Sequence, residues 1–131
     1  MLGAGFPAAP GPMKRAPLVH GGVFADEGFA RRYARKHTKM AEGFGAEYGR
    51  RLSERGFRQG RILDAGCGFG ATVRVLARLL PECELVGIDL SGPLLSLARA
   101  SVEGSALEGR VRFEKADVQE IPFGDGAFDV V

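Results

Sequence analysis

Three carboxylates and a run of glycines are the residues in this chain best suited to chemistry. Asp64, Asp89 and Asp117 each close a short, largely apolar run, and Gly66, Gly68 and Gly70 follow the first of them. Glycines at alternate positions remove three β-carbons, so the backbone can turn sharply, approach a ligand and aim the N-terminus of a following helix at an anionic group. Asp64 places negative charge two residues ahead of the first glycine, where a nucleotide diphosphate would otherwise lie, and repulsion there disfavours a diphosphate. A ligand bearing a sulfonium and an ammonium finds complementary charge at Asp64, and the loop amides would take its carboxylate. A carboxylate placed like Asp89 accepts hydrogen bonds from both ribose hydroxyls of an adenosine-type ligand.

Several elements must position these groups. Ile62-Leu63-Asp64-Ala65 reads as a buried strand ending in the glycine turn. Val73, Leu76, Leu79 and Leu80 then fall on one helical stripe, which Pro81 stops. Cys83 to Leu90 is a second strand, after which Ser91 caps a helix carrying Pro93 in its first turn and Leu94, Leu97 and Ala98 on its inner face. Val111 to Ala116 alternates as a third strand, and Ala127 to Val131 opens a fourth. Parallel neighbours need crossover connections, so this order predicts the α/β class: a Rossmann-like open parallel sheet with crossover helices, truncated within its fourth strand. Open α/β sheets bind ligands beyond the carboxyl ends of their strands, where the three aspartates fall.

Upstream, Phe29, Tyr33 and Ala34, then Met40, Phe44, Tyr48 and Leu52, recur at helical spacing. They predict an N-terminal helical cap of two helices, or one bent near Gly43-Phe44-Gly45, packed through that stripe. The chain then divides into a Pro/Gly-rich leader at 1–22, read as disordered, the cap at 23–58, and the sheet domain at 59–131. Met13, just ahead of Lys14-Arg15, reads as an alternative start. The end inside an apolar strand reads as a fragment, whose unfinished sheet edge invites pairing with another chain.

A length of 131 residues suits one domain, and 45% hydrophobic with 26% charged residues reads as soluble and globular. No apolar run approaches the roughly 18 residues that cross a bilayer, so no membrane is expected. A net charge of +2 argues against nucleic acid as a partner. The charge is uneven, with eleven Lys and Arg against five Asp and Glu in residues 1–60. The cluster Arg31, Arg32, Arg35, Lys36 and Lys39 reads as the solvated face of a helix, with an anionic acceptor or RNA as the alternative. Cys67 and Cys83 fall at opposite ends of neighbouring strands, too far apart to bridge, which predicts reduced thiols and a cytoplasmic setting. Cys67 reads as a small side chain lining the pocket and Cys83 as core. His20 and His37 have no metal-ligand spacing, and no metal site is expected.

The charge pattern around Asp64 and Asp89 matches S-adenosylmethionine. Gly66-Cys67-Gly68-Phe69-Gly70-Ala71 also satisfies the loose dinucleotide fingerprint, which keeps a nicotinamide-dependent oxidoreductase fragment open. A nonenzymatic interaction module, pairing through the unfinished edge, is the third reading. In order along the chain, Ile62 to Gly70, Val86 to Ser91, Lys115 to Val118 with Ile121-Pro122-Phe123, and Phe128 to Val131 resemble the motifs of the class I S-adenosylmethionine-dependent methyltransferases, most like the subgroup acting on small molecules. That resemblance covers about Arg61 to Val131. It implies a cofactor set of Asp64, Ala65, Gly66, Cys67, Gly68, Gly70, Asp89, Leu90, Asp117 and Val118, with Asp89 on the ribose and Asp117 and Val118 on adenine. It also implies a small-molecule acceptor, with Phe29, Tyr33, Phe44 and Tyr48 as cap residues facing the cofactor. It names no catalytic residue, because transfer from a sulfonium proceeds largely by alignment. The structural alternatives are plain: the glycines as a tight turn, Asp64 and Asp117 as turn residues, and Asp89 as an acid at a helix start.

Overall fold

The computed structural model describes residues 22–131, so the leader and His20 lie outside the described residues apart from Gly22. A short 3-10 turn (Gly22–Ala25) leads into α1 (Glu27–Glu54), β1 (Gln59–Ala65), α2 (Ala71–Leu79), β2 (Glu82–Asp89), α3 (Gly92–Val102) and β3 (Val111–Lys115). The strands form one parallel sheet in the order β1-β2-β3, with Ile62 opposite Leu85 and Gly87 opposite Phe113. The α/β fold with crossover helices is therefore present. The fourth strand is reduced to one parallel bridge, Val130 to Ile62, on the free edge of β1. Leu63 N–H donates to Val130 O (2.9 Å), and Asp129 N–H donates to Arg61 O (2.9 Å).

The core lies where α2 and α3 cover one face of the sheet, and it gathers Ile62, Val73, Leu76, Leu80, Cys83, Leu85, Leu95 and Phe113. On the other face Leu63, Val86 and Ile88 are covered by Ala116, Phe123 and Phe128. Strands buried on both faces read as continuous apolar runs, which is why β1 and β2 stand out in the sequence. Side-chain bonds fix the layers: Arg110 donates to Ala77 O (2.8 Å) and Cys83 O (2.8 Å), and Arg99 to Phe113 O (3.0 Å).

The first helix corrects the expectation of two separate helices. It is one α-helix of 28 residues, capped by Asp26, whose side chain accepts from Phe29 N–H. Its packing face takes in Tyr33, Ala34 and Leu52 of the expected stripe but not the middle of it. Met40, Phe44 and Tyr48 are 53%, 49% and 47% exposed, while Ala30, Gly45 and Gly49 are buried. A β-carbon on Gly45 would meet Thr72 O at 2.9 Å and Val75 Cβ at 2.8 Å, and one on Gly49 would meet Leu79 Cδ1 at 2.7 Å. Gly45, read as part of a bend, instead lets α2 approach the α1 backbone, and tertiary packing overrides its poor helix propensity.

Candidate functional site

The glycine loop starts at the tip of β1 and is held against β2. Gly66 and Cys67 N–H both donate to Ile88 O (2.8 and 2.9 Å), and Gly70 N–H donates to Cys67 O (3.0 Å). Gly68 N–H donates to Asp89 Oδ2 (2.9 Å), while Ser91 N–H donates to Asp89 Oδ1 (2.8 Å). One carboxylate thus ties the loop after β1 to the start of α3. This geometry corrects the expectation that these loop amides await a ligand carboxylate: the N–H groups of Gly66, Cys67, Gly68 and Gly70 are already bonded within the protein.

The glycines divide into two kinds. Gly70, at φ 78°, has no room for a side chain, since a β-carbon would lie 2.7 Å from Phe113 Cζ and 3.0 Å from Ala98 Cβ. It serves the helix–sheet contact. Gly66 has nothing within 4 Å of a β-carbon position, and at Gly68 the nearest atom is Leu94 Cδ1 at 4.0 Å. Those two positions face open space, which is a cavity of about 660 Å³ lined by Gly66, Gly68, Asp89, Leu90, Ser91, Lys115, Tyr33 and Phe24 among others. Cavities of this size are typical of small-molecule and cofactor sites.

One wall comes from the N-terminal segment. Phe24 packs edge-on against Phe29 and Tyr33, with ring centroids 5.3 and 5.2 Å apart. Tyr33 also packs against Phe69 of the glycine loop (6.2 Å) and His37 (4.4 Å). The Ser91 hydroxyl donates to Phe24 O (2.7 Å) and accepts from Leu94 N–H (3.2 Å), so the α3 cap also latches the 3-10 turn. Sequence reasoning found Ser91 as a cap and missed this latch, because the partner lies 67 residues upstream. It also assigned no role to Lys115, the one cation among the described residues that line this cavity.

A second cavity, about 490 Å³, lies on the other side of β1 and is lined by Asp64, Ala65, Thr72, Leu76, Val130, Tyr48, Arg51 and Arg55 among others. Asp64 belongs to this wall and not to the first. It is nevertheless coupled to Asp89: burial pushes the Asp64 carboxyl above its ordinary range, and the Asp89 charge pushes it further. No described residue offers the Asp64 side chain a hydrogen bond or ion pair.

The expected residues are therefore only partly brought together. Gly66, Gly68, Asp89 and Leu90 share the first cavity, and Asp64 and Ala65 reach the same strand tip from the second. Cys67 turns into the core, where its sulfur would lie 2.8 Å from a β-carbon on Gly87. The expectation of a pocket-lining thiol fails because the sheet leaves a vacancy at Gly87 that the sulfur fills. Burial, then the charges of Asp64 and Asp89, push the thiol far above its usual range. Asp117 lines neither cavity; it accepts from Gln119 N–H (2.9 Å) in a turn beyond β3, beside the exposed Val118. Of the cap aromatics, Tyr33 lines the first cavity and Tyr48 the second, while Phe44 stacks on Tyr48 away from both (6.2 Å). No group of His, Cys, Asp and Glu able to hold a metal occurs among the described residues.

Parallel strands, glycine loop and crossover helices in this order define a Rossmann-like α/β fold. The family model described as a methyltransferase domain matches residues 62–131. The chain belongs to that family, within the class I S-adenosylmethionine-dependent methyltransferases. It is 45% identical over 71 residues to demethylmenaquinone methyltransferase of Thermus thermophilus, covering 54% of this chain and 31% of that protein. It is 37% identical over 94 residues to malonyl-acyl-carrier-protein O-methyltransferase of Legionella pneumophila, covering 72% of this chain and 32% of the relative. The chain thus spans about a third of the length of these curated relatives. A solved structure of a proposed S-adenosyl-L-methionine-dependent methyltransferase from Methanococcus maripaludis superposes with a TM-score of 0.71 at 21% identity, over 80% of this chain and 48% of that one, and shares its fold.

Proposed function

We propose that this chain is the cofactor-binding part of an S-adenosylmethionine-dependent methyltransferase that acts on a small-molecule acceptor. Asp89 carries the reading: it lines the first cavity, both of its oxygens are oriented by backbone N–H groups, and each retains accepting capacity for a ribose hydroxyl. The residues present fit the cofactor, because Gly66 and Gly68 leave open the space that β-carbons would fill. Leu90, Pro93, Leu94 and Tyr33 give that space apolar walls for a nucleoside. Asp117 and Val118 at the tip of β3 are assigned to the adenine edge.

When bound, the cofactor supplies an electrophilic methyl group on a positively charged sulfur. What this chain contributes is orientation and charge. Asp89 holds the ribose, and the unpartnered Asp64 offers a negative potential to the cationic end of the cofactor, which lowers that carboxyl back towards its ordinary range. The same charge works against a pyrophosphate at Gly66, which disfavours a nicotinamide dinucleotide. The two free, buried cysteines suit a reducing, cytoplasmic setting, and no helix among the described residues is long and apolar enough to cross a membrane.

Isothermal titration of the 131-residue chain with S-adenosylhomocysteine and, separately, NADH tests the reading. Saturable binding of the former, weakened about tenfold or more by Asp89→Ala, is expected from the loss of charge-assisted hydrogen bonds. Tight NADH binding without any response to S-adenosylhomocysteine refutes it.

A further inference from the structure

The α1 helix carries an electrostatic conflict that the fold does not resolve. Arg31, Arg32, Arg35, Lys36 and Lys39 are all exposed, and none forms an ion pair with another described residue. Arg31 and Arg35, Arg35 and Lys39, and Arg32 and Lys36 stand four residues apart, so like charges face each other at about 6 Å along two rows. The C-terminal half of the same helix is built differently: Glu47 pairs with Arg50 (2.9 Å) and Arg51 (2.7 Å), and Arg50 also pairs with Glu54 (2.5 Å). A helix that neutralises its cations at one end and concentrates them at the other presents a binding surface.

We propose that the stripe Arg31, Arg35, Lys39 with Arg32 and Lys36 docks an acidic protein surface, whose carboxylates match two rows of cations over about 12 Å of rigid helix. The surroundings select this partner over other polyanions. The rings nearest the stripe, Phe24, Phe29, Tyr33 and His37, pack on one another and on the cavity wall, which leaves no free platform for stacking bases. The exposed apolar side chains of α1, Met40, Phe44 and Tyr48, follow the stripe rather than interleave with it, and the vesicle arm of the test below reads whether they carry binding. Eleven cations against five acids in residues 1–60 leave residues 61–131 net negative, so the stripe is not continued by a wider basic face that would track a nucleic-acid backbone. This surface is independent of the cofactor reading, since none of the five cations lines either cavity.

The test uses fluorescence anisotropy of the 131-residue chain with a synthetic helical peptide bearing Glu in rows four residues apart, and its Gln counterpart. Duplex and single-stranded RNA and anionic phospholipid vesicles form the comparison arms, at low and at physiological salt. Binding of the Glu peptide alone, falling with salt and weakened at least about tenfold by Arg35→Glu, is expected. The same variant should keep its helix content and its S-adenosylhomocysteine affinity and melt no lower, because it replaces two like-charge pairs with opposite ones. Arg31→Gln with Lys39→Gln gives a second variant without charge reversal. Failure of the Glu peptide to bind, unchanged binding in the variants, or tighter binding of RNA or vesicles overturns the proposal.

Discussion

Replacing Asp64 by Asn should make the free chain more stable and the cofactor complex weaker. The carboxyl is pushed up by burial and by Asp89, and it has no hydrogen-bond donor among the described residues. Its folded-state pKa lies above the unfolded value, so the folded chain holds the proton more tightly. Stability is therefore greatest below the ordinary carboxylate range near 3.8 and is lost as pH rises through the elevated folded value. At neutral pH the ionised side chain destabilises the native state by about 1.4 kcal/mol for each pKa unit of elevation. Asp64→Asn removes that penalty and leaves an amide able to donate towards Asp89, so urea denaturation at pH 7 should show a higher midpoint with an unchanged slope. Between pH 4 and 7 the variant's stability should vary less than that of the wild type. Binding should move the other way: Asp64 faces the second cavity, so the variant removes a negative potential at the strand tip rather than a hydrogen bond, and S-adenosylmethionine should weaken by about tenfold. Wild-type affinity should also fall as acid protonates Asp64. Comparing S-adenosylmethionine with S-adenosylhomocysteine separates sulfonium from ammonium, because only the former ligand carries the sulfonium. A variant that is less stable yet binds as tightly as wild type would show that Asp64 is a structural turn residue.

Three further outcomes follow from the packing. Gly45→Ala should destabilise the chain by about 1–3 kcal/mol in chemical denaturation, because its β-carbon meets a backbone oxygen and the branched carbon of Val75; Gly49→Ala should be near neutral, because it meets only the movable end of a half-exposed Leu79 and gains helix propensity. Gly70→Ala should cost on the order of 2–4 kcal/mol through strain and collision with Phe113, whereas Gly66→Ala, which meets no atom, should cost about 1–2 kcal/mol and act mainly on S-adenosylhomocysteine affinity by titration calorimetry. Both thiols are buried and pushed up, so Ellman's reagent at pH 8 should label neither Cys67 nor Cys83 until denaturant is added; prompt native labelling of Cys67 contradicts its place in the core.

The parallel sheet was legible because β1 and β2 are buried on both faces, and because Pro81, Ser91 and Pro93 punctuate their helices. The tip residues were legible for the same reason: a strand that ends at Asp89 places that side chain at the ligand edge whatever the remainder of the chain does. What was not legible depends on contacts between distant residues. The spacing of Met40, Phe44 and Tyr48 is helical, yet the packing face of α1 was chosen by Gly45 and Gly49 against α2, and a one-dimensional pattern cannot distinguish a glycine that breaks a helix from one that lets a neighbour in. The orientation of Cys67 was set by Gly87, two elements away. The assignment of the three aspartates to one cavity overlooked that Asp64 and the loop after it face opposite sides of β1.

The arrangement at β1 explains why Asp64 rather than Asp89 is the more informative position. Val130 lies on one edge of β1 and β2 on the other, so the chain reverses its direction of travel across the sheet at this strand. Loops leaving such a reversal separate to opposite sides, and a crevice opens at the strand tip. Gly66 and Gly68 serve the crevice towards β2, and Asp64 and Ala65 the one towards Val130. Asp89 is fully integrated in the fold through its two backbone donors, and its removal would disturb loop and helix together with any ligand. Asp64 has no such structural duty, and its elevated pKa makes it a local liability that the surrounding core tolerates. Sites where a local rule is broken without a compensating contact are where function is to be sought. In this chain they are the tip of β1 and the cationic stretch of α1, to which the proposed cofactor and the proposed acidic partner are assigned.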